Sequence, residues 1–462
     1  MDEMHAAAMP QRPQEIEDRT DEMLVIGAGP VGLAMAKALK DQGIPHDHVE
    51  ADEAVGGNWR HGVYDTVHII SSRRTTEFPD FPMPEGTPDF PSREDMRRYL
   101  EAYAVHYGLN ERIRFATRVI AVRPVENNRW EVHFADGGIA RYKGVLVCNG
   151  HHWCRRMPDY PGEFAGEMIH SKDYRRPEQL AGRRVLVIGG GNSACDIVSE
   201  AARVAREAHL SLRRGYWFMP KTFFGVPTVE LIHPRLPVFA QRLLLKALIR
   251  VAIGDYRRYG LPKPDHDLFE RHPTISTEIL HYLKHGRIHP HPDIACFEGR
   301  RAHFQDGTSA ELDMIVAATG YHVAYPFLPA ALCPVEGPVL KVYGGSMLPG
   351  YRHLYLIGWG QPRYGFGPLV APAAELMARI IRLQDEIEHP LADVLKAMGA
   401  RPPETHLADP HRQMRQIRRA MRRLGLVRLF ARHLMRGSAR PNPVLPAPDI
   451  SQLAAQRDMP VY

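Results

Sequence analysis

The chain has 462 residues, of which 44% are hydrophobic and 24% charged, and a formal net charge of +6. That length exceeds one simple core and fits two domains with appendages, while the composition is that of an ordinary globular protein. The mild basic excess suits anionic cofactors, and without aromatic-plus-basic clusters it gives no reason to invoke nucleic acid.

Residues 1–22, with Glu15, Glu17, Asp18 and Arg19, are polar and lack the apolar core of a secretory signal. A flexible tail is expected there. Met23-Leu-Val-Ile-Gly27 then reads as a buried strand ending at glycine, Pro30 to Leu39 as a helix, and His48-Val49-Glu50 as the end of a second strand. Arg129 to Phe134 and Ile139 to Tyr142 alternate around Asp136-Gly137-Gly138 and predict a hairpin. Val145 to Cys148 is another buried strand. The strand–glycine–helix unit recurs at Arg184-Val-Leu-Val-Ile-Gly189 and the helix that opens at Ser193, roughly 160 residues after the first. Met314 to Gly320, Leu354 to Gly358 and a helix from Ala373 to Glu388 follow.

Each repeat carries a phosphate cradle. In Gly27-Ala-Gly29-Pro30-Val-Gly32 the first glycine permits the tight turn and the second lets backbone approach a pyrophosphate. The third allows close packing, and the helix N-terminus faces the negative charge. Glu50, at the end of the next strand, is placed to accept hydrogen bonds from ribose hydroxyls. The second cradle is Gly189-Gly-Gly191-Asn192-Ser193-Ala194, and the strand after it ends at Arg213 and Arg214. Guanidinium pairs with a ribose 2′-phosphate where a carboxylate would repel it. Lys221 is a further helper. One glutamate cradle and one arginine cradle predict FAD and NADPH in a single chain, and so a redox reaction.

The expected fold is α/β, with two Rossmann-like dinucleotide-binding domains, the NADPH domain inserted in the FAD domain. The FAD domain is expected over 23–165 and 318–400, and the NADPH domain over 166–317 with a helical insertion near 230–262. A basic appendage is expected over 401–462. Five scattered cysteines form no C-x-x-C pair, which points to a reduced, cytoplasmic setting and disfavours a disulfide reductase. No metal-ligand spacing is evident.

Phe164-Ala-Gly166-Glu-Met-Ile-His170-Ser-Lys-Asp-Tyr174 resembles the F-x-G-x-x-x-H-x-x-x-Y fingerprint of flavin-containing monooxygenases. Gly56-Gly57-Asn58-Trp59, the G-x-G-N-S form at Asn192 and Ser193, and Ala318-Thr319-Gly320-Tyr321 extend the likeness, as do Gln361-Pro362 and Glu375. The resemblance implies that Gly57, Asn58, Trp59, Gly358 and Gln361 serve FAD, that Thr319 serves NADPH, and that His170 positions rather than transfers protons. It implies an oxygenase in which NADPH reduces FAD and O2 adds as a flavin C4a-hydroperoxide. One oxygen atom then passes to a small organic substrate, by N- or S-oxygenation as in dimethylaniline monooxygenases. The family's flavin-side asparagine is absent, and Ser71, in Ile70-Ser71-Ser72-Arg73, is the small hydrogen-bonding group in its place.

That departure keeps other chemistries open. Gly254 to Pro262 resembles a segment of plant flavin monooxygenases that decarboxylate a keto acid oxidatively. Baeyer–Villiger ketone oxygenation is a further alternative, although that family favours Trp where Tyr174 stands. A redox-sensing flavoprotein is the non-enzymatic reading. Arg412 to Arg436 holds nine arginines, with Met414, Ile417, Met421 and Leu424 at helical spacing. Leu236 to Ile253 carries Arg242, Lys246 and Arg250 at intervals of four. Each segment is either an amphipathic helix on the inner face of a membrane or a surface helix covering its own domain, and the second is preferred for the arginine-rich one. The sequence leaves the oligomeric state open, a homodimer included.

Overall fold

A computed structural model of the chain describes residues 16–231, 236–363, 365–435 and 437–447. Two parallel sheets organise it. The first places Ile113–Arg114, His46–Val49, Ile16–Ile26, Ile139–Val147 and Leu354–Leu356 side by side in parallel. Val119–Val125 and Arg129–Phe134 join it as an antiparallel excursion. The second sheet runs Ile288–His291, Glu207–Ser211, Arg184–Ile188, Met314–Ala317 and Glu167–His170, all parallel. Its strands all fall between two visits of the chain to the first sheet, since Leu354–Leu356 returns beside Val145–Val147. This is the α/β architecture of two dinucleotide-binding sheets, one inserted in the other.

Local chemistry explains the main elements. Pro30 at the first helical position starts the helix Pro30–Asp41, whose Leu33, Ala34, Met35, Ala38 and Leu39 are buried. Helix Asn192–Val204 does the same for the second sheet, burying Ala194, Ile197, Val198 and Ala201. Ser92 opens helix Arg93–His106 with a reciprocal cap to Asp95. The hairpin read from Asp136-Gly137 is present, but its second strand does not stop at Tyr142. Ile139–Val147 is one strand: one edge pairs in parallel with Ile16–Ile26 throughout, while the other pairs antiparallel with Arg129–Phe134 at its start and parallel with Leu354–Leu356 at its end. Gly144 makes the change possible, because a Cβ there would collide with Met23 and His353.

Three expectations need correction. Within the span 1–22 expected as a tail, Ile16–Arg19 pairs in parallel with Ile139–Tyr142 and Arg19 lies near Asp47 and Glu17, while residues 1–15 lie outside the described residues. Backbone pairing and ion pairs hold this segment, so it has no apolar signature to read. Helix Ala373–Glu388 begins at Gly367 and ends at Glu386, with Pro372 inside it. The appendage over 401–462 is no separate piece within its described residues. Leu407–Ala408 pairs with Gln361–Pro362, and helix Pro410–His433 buries Val427 and Ala431 in the core beneath helix Gly367–Glu386. The buried Asn442 then bonds Arg352 and Asn128, and Leu445 bonds Pro124 and Arg123. Residues 448–462 lie outside the described residues.

Trp130 ties the excursion to the returning chain: its ring is fully buried and its Nε1 donates to the Arg352 carbonyl at 3.0 Å. Trp130→Ala is expected to lower unfolding stability by about 3–5 kcal/mol, read from urea titration of the purified protein followed by circular dichroism.

Candidate functional site

The first helix N-terminus opens on a cleft of about 1370 Å³ lined by residues of both domains, which the second cradle reaches through Ser193 while Gly189, Gly191, Asn192, Arg213 and Arg214 lie outside its lining. Gly29 precedes helix Pro30–Asp41 and Gly191 precedes helix Asn192–Val204, and neither helix has a side-chain cap. Their first N–H groups are therefore left for a ligand, with the positive end of the helix dipole behind them. At both turns the first glycine has positive φ, +101° at Gly27 and +123° at Gly189. Gly32 admits no side chain, because its Cβ would overlap the Gly27 carbonyl. A Cβ on Gly57 would come within 3.1 Å of the Gly29 Cα, so the G-G-N-W turn rests on the cradle itself.

Glu50 is buried at the end of its strand. One carboxylate oxygen accepts from the Ala28 amide and the other from the Asp52 amide at 3.0 Å. The carboxylate thus shapes the glycine turn as well as facing the cleft. His48, also buried, donates from Nε2 to the Gly27 carbonyl at 2.9 Å, and burial lowers its pKa to about 4. It is a neutral strut under the turn. Gly358 and Gln361 line the same cleft. The Gly358 carbonyl accepts from His151 Nδ1 at 2.7 Å, and the Gln361 amide donates to the His406 carbonyl at 2.8 Å.

The arrangement suits a dinucleotide in each domain. In the first, uncapped amides, close backbone approach and a buried carboxylate at the cleft fit FAD. In the second, Asn192 Oδ1 accepts from the Ile275 amide at 2.8 Å, and the Gly190 carbonyl accepts from Thr274 Oγ1 at 2.7 Å, which holds the turn in place. Ala194 is buried behind the cradle, and Ser193 lines the cleft. Arg213 and Arg214 follow the strand that ends at Ser211. Arg214 lies over the Tyr216 ring at 5.4 Å.

A third guanidinium, unmarked in the sequence, joins them. Partial burial, and then the like charges of Arg213 and Arg214, push Arg156 below its ordinary pKa. Its Nε donates to the Thr319 carbonyl at 2.9 Å, and the Thr319 hydroxyl donates back to the Arg156 carbonyl. Thr319 is thus spoken for by the linker between the domains. Lys221 lies elsewhere: it meets His68 of the first domain, and its charge couples to Asp196 and Glu278.

The fingerprint histidine has a structural account. The Lys172 amide donates to His170 Nδ1 at 3.1 Å, so His170 carries its proton on Nε2 and donates to the Gly320 carbonyl at 3.0 Å. Burial lowers its pKa, which keeps it neutral. Tyr174 is buried against Glu200. Ser71 lines the cleft, its hydroxyl 2.7 Å from Thr76 Oγ1, next to Trp59 and Ile70. Asn58 donates to the His152 carbonyl at 3.0 Å.

The C-terminal segment supplies an unexpected wall. His406, Arg412, Gln413, Ile417 and Ala420 line the cleft opposite the cradles. Arg363, buried against Asp409 and over the Phe269 ring at 4.7 Å, pins that wall to the core.

Comparison with known proteins agrees with this geometry. The model of the flavin-binding monooxygenase-like family matches residues 20–381. The chain belongs to that family. It is 32% identical over 386 residues to flavin-containing monooxygenase 5 of Oryctolagus cuniculus, covering 77% of this chain and 71% of that one. It is 30% identical over 406 residues to dimethylaniline monooxygenase [N-oxide-forming] 2 of the same species, covering 80% and 76%. The S-allyl-L-cysteine S-oxygenase of Allium sativum shares the fold at a TM-score of 0.62 and 21% identity, over 95% of this chain and 98% of that one. The protein is a flavin-dependent monooxygenase that uses FAD and NADPH.

His48 gives the cradle a pH signature. Its folded pKa lies below the ordinary 6.5, so between pH 6.5 and about 4 the unfolded chain binds a proton that the native chain refuses. Stability is therefore full above 6.5 and falls on acidification, by about 3 kcal/mol from this group once pH 4 is reached. His48→Gln, which can keep the bond to Gly27, should flatten that decline by one proton in urea midpoints measured against pH.

Proposed function

We propose that this monooxygenase transfers one oxygen atom to the nitrogen or sulfur of a small organic substrate. The observation that carries this reading is the cleft on which the first cradle opens and which Ser193 of the second reaches, walled by Trp59, Ile70, Phe366, Leu369, Val370 and Ile417. Bound FAD supplies hydride acceptance from NADPH and the activation of O2. The chain supplies binding, orientation and exclusion of water. Gly29 and the amides after it receive the FAD pyrophosphate, while Glu50 receives its ribose. Gly191, Asn192 and Ser193 receive the pyrophosphate of NADPH. Arg213 and Arg214, with Arg156 beside them, receive the 2′-phosphate. The apolar wall leaves water little room at the reacting atoms. No side chain is needed as a general acid or base, which matches His170 being committed to Gly320. Oxygenation by this route consumes NADPH, a proton, O2 and substrate, and yields NADP⁺, water and the oxygenated product.

A second reading rests on the far wall. Arg401 and Arg412 line the cleft, which favours a substrate bearing an acid group and brings in oxidative decarboxylation of a keto acid. NADPH consumption with amines, thioethers, ketones and keto acids, with product identified by mass spectrometry, separates the readings. An N- or S-oxide supports the first. Loss of carbon dioxide from a keto acid, or an ester from a ketone, overturns it.

The charge reading of the cofactor has its own test. Arg213→Ala and Arg214→Ala are each expected to raise the KM for NADPH roughly 10- to 100-fold, the value of a charge-assisted hydrogen bond. The KM for NADH should hardly move, and steady-state kinetics with both cofactors reads the difference.

Membrane contact is the remaining element of the proposal, and it belongs to helix Val238–Ala252 rather than to the arginine-rich helix. No helix among the described residues is long and apolar enough to cross a membrane. Arg242 and Lys246, expected as part of a basic face, are both turned onto Asp267. Phe239, Leu243 and Val251 are exposed instead, as is Phe224 on a nearby hairpin, with Arg250 and Arg257 also exposed. An apolar face edged by cations suits shallow insertion into an anionic bilayer. Co-sedimentation with phosphatidylserine vesicles should be lost in Phe239→Ser/Leu243→Ser, and absence of binding by the unaltered protein at low salt overturns the idea.

A further inference from the structure

Lys172 lies inside the fingerprint segment yet works on the other domain. Its side chain is only 2% exposed. From the turn after strand Glu167–His170 it crosses to the first domain, where Nζ lies 3.3 Å from the Gly62 carbonyl and 3.4 Å from Asn58 Oδ1. Both acceptors belong to the single π-helical turn Asn58–Gly62 that follows Gly57. A cation at the carbonyl end of a helical turn opposes its negative pole, and it also occupies acceptors that would otherwise be unsatisfied. Gly62 is held without a side chain because a Cβ would strike the Asn58 carboxamide. Asn58 is thus fixed on both sides, by Lys172 at Oδ1 and by the His152 carbonyl at Nδ2.

The same turn adjoins the flavin cradle. Gly57 touches Gly29, and Asn58 and Trp59 line the cleft. On the other side, Lys172 is aimed by its neighbours. Its amide is bonded to His170, the Ser171 amide donates to the Ala317 carbonyl at 2.9 Å, and the Asp173 amide donates to the His170 carbonyl at 2.8 Å. His170 in turn holds Gly320, beside the cradle of the second domain. A continuous chain of contacts therefore runs from Gly320 through His170 and Lys172 to Asn58 and Trp59.

We propose that Lys172 is a positioning residue for the oxygenation reaction, its ammonium locking the Asn58–Gly62 turn of the flavin side to the His170 turn of the NADPH side. A lysine whose only task was to fill the seam would act through its stem, and its charge would be dispensable. Here the charge is what the two oxygens engage. Burial first, then the nearby Arg175 and Arg155, lower its pKa to about 8, with Asp173 acting the other way. His152 and His170 also face it. The ammonium is accordingly present below pH 8 and lost as pH rises through it, and the lock should loosen over the same range.

The test uses the FAD-loaded enzyme without substrate, after bleaching by NADPH has established flavin reduction in the unaltered protein. Two readouts follow pH from 6.5 to 9.5: the NADP⁺ affinity of the oxidised enzyme, from the perturbed flavin spectrum, and hydrogen peroxide released per NADPH consumed. In the unaltered enzyme, affinity should fall and peroxide release accelerate as pH passes about 8. Lys172→Met should keep stoichiometric FAD, weaken NADP⁺ about tenfold and leak peroxide at every pH, the size expected for losing a hydrogen-bonded charge. Lys172→Arg should restore low leakage and remove the pH dependence. Asn58→Asp, which gives the ammonium a carboxylate partner, should move the transition to higher pH and covers the case of an unstable Met variant. Affinity and leakage in Lys172→Met that match the unaltered enzyme, or an unmoved transition in Asn58→Asp, would overturn the proposal.

Discussion

Two helices, one at each cradle, begin with no side chain of their own to satisfy their first amides. Four N–H groups at a helix start are costly to leave without partners, and most helices meet part of that need with a capping Ser, Thr, Asp or Asn. Here Gly29 and Gly191 occupy the cap positions and forgo that stabilisation. A pyrophosphate bound at these amides would make the deficit good, and would thereby link cofactor binding to fold stability. Much of the surrounding chemistry maintains this opening. Glu50 and His48 hold the first turn, and Thr274 and Asn192 hold the second.

A hydride has to pass between two cofactors held by different sheets, which makes the seam between domains part of the chemistry. The seam is polar and specific rather than broadly apolar. Tyr64, from the first domain, is buried in the core of the second and donates to Asp196 at 2.7 Å. Burial raises the pKa of Asp196. Asp65 and Val63 exchange bonds with Arg175, at 2.8 and 3.1 Å. Such contacts fix orientation at a modest gain in stability, because each polar group gives up water to make them. Geometry rather than adhesion is what this seam supplies, and His170 belongs to it as a neutral hinge pin.

What could be read from the sequence follows from how local each signal is. The cradles are legible because their requirements are met within six residues: positive φ at Gly27, close packing at Gly32, and a helix opening at Pro30. The choice of Glu50 against Arg213 and Arg214 is legible because parallel strands end at predictable places. Arg156 escapes notice because nothing in its own neighbourhood marks it; the linker brings it to Thr319 from a distant part of the chain. Lys172 sits within a segment recognised for its histidine and tyrosine, and its partner, the Asn58–Gly62 turn, is remote in sequence. The strand Ile139–Val147 reads as two because the partner on one of its edges changes midway, from Arg129–Phe134 to Leu354–Leu356. Lys221 reads as a phosphate ligand from its charge alone, whereas its surroundings are Asp196, Glu278 and His68.

The C-terminal segment shows how far function can depend on such non-local placement. Its arginines suggest a surface element by composition, yet only one face of helix Pro410–His433 bears out a domain-covering role. Val427 and Ala431 enter the core, while Arg428 and Arg432 reach Glu386 at the far end of the neighbouring helix. Those contacts hold the C-terminal half of the helix, while Arg363 and Asp409 secure its first turn. Between the anchors, Gln413, Ile417 and Ala420 face the cleft without having to stabilise the fold themselves. A wall fixed at both ends can vary in the middle at little cost in stability, since substitutions away from buried contacts usually change it by less than about 0.5 kcal/mol. The cradles have no such freedom, because their glycines and the Glu50 carboxylate are fixed by backbone geometry. The C-terminal wall of the cleft is therefore free to change in sequence while the cradles are not.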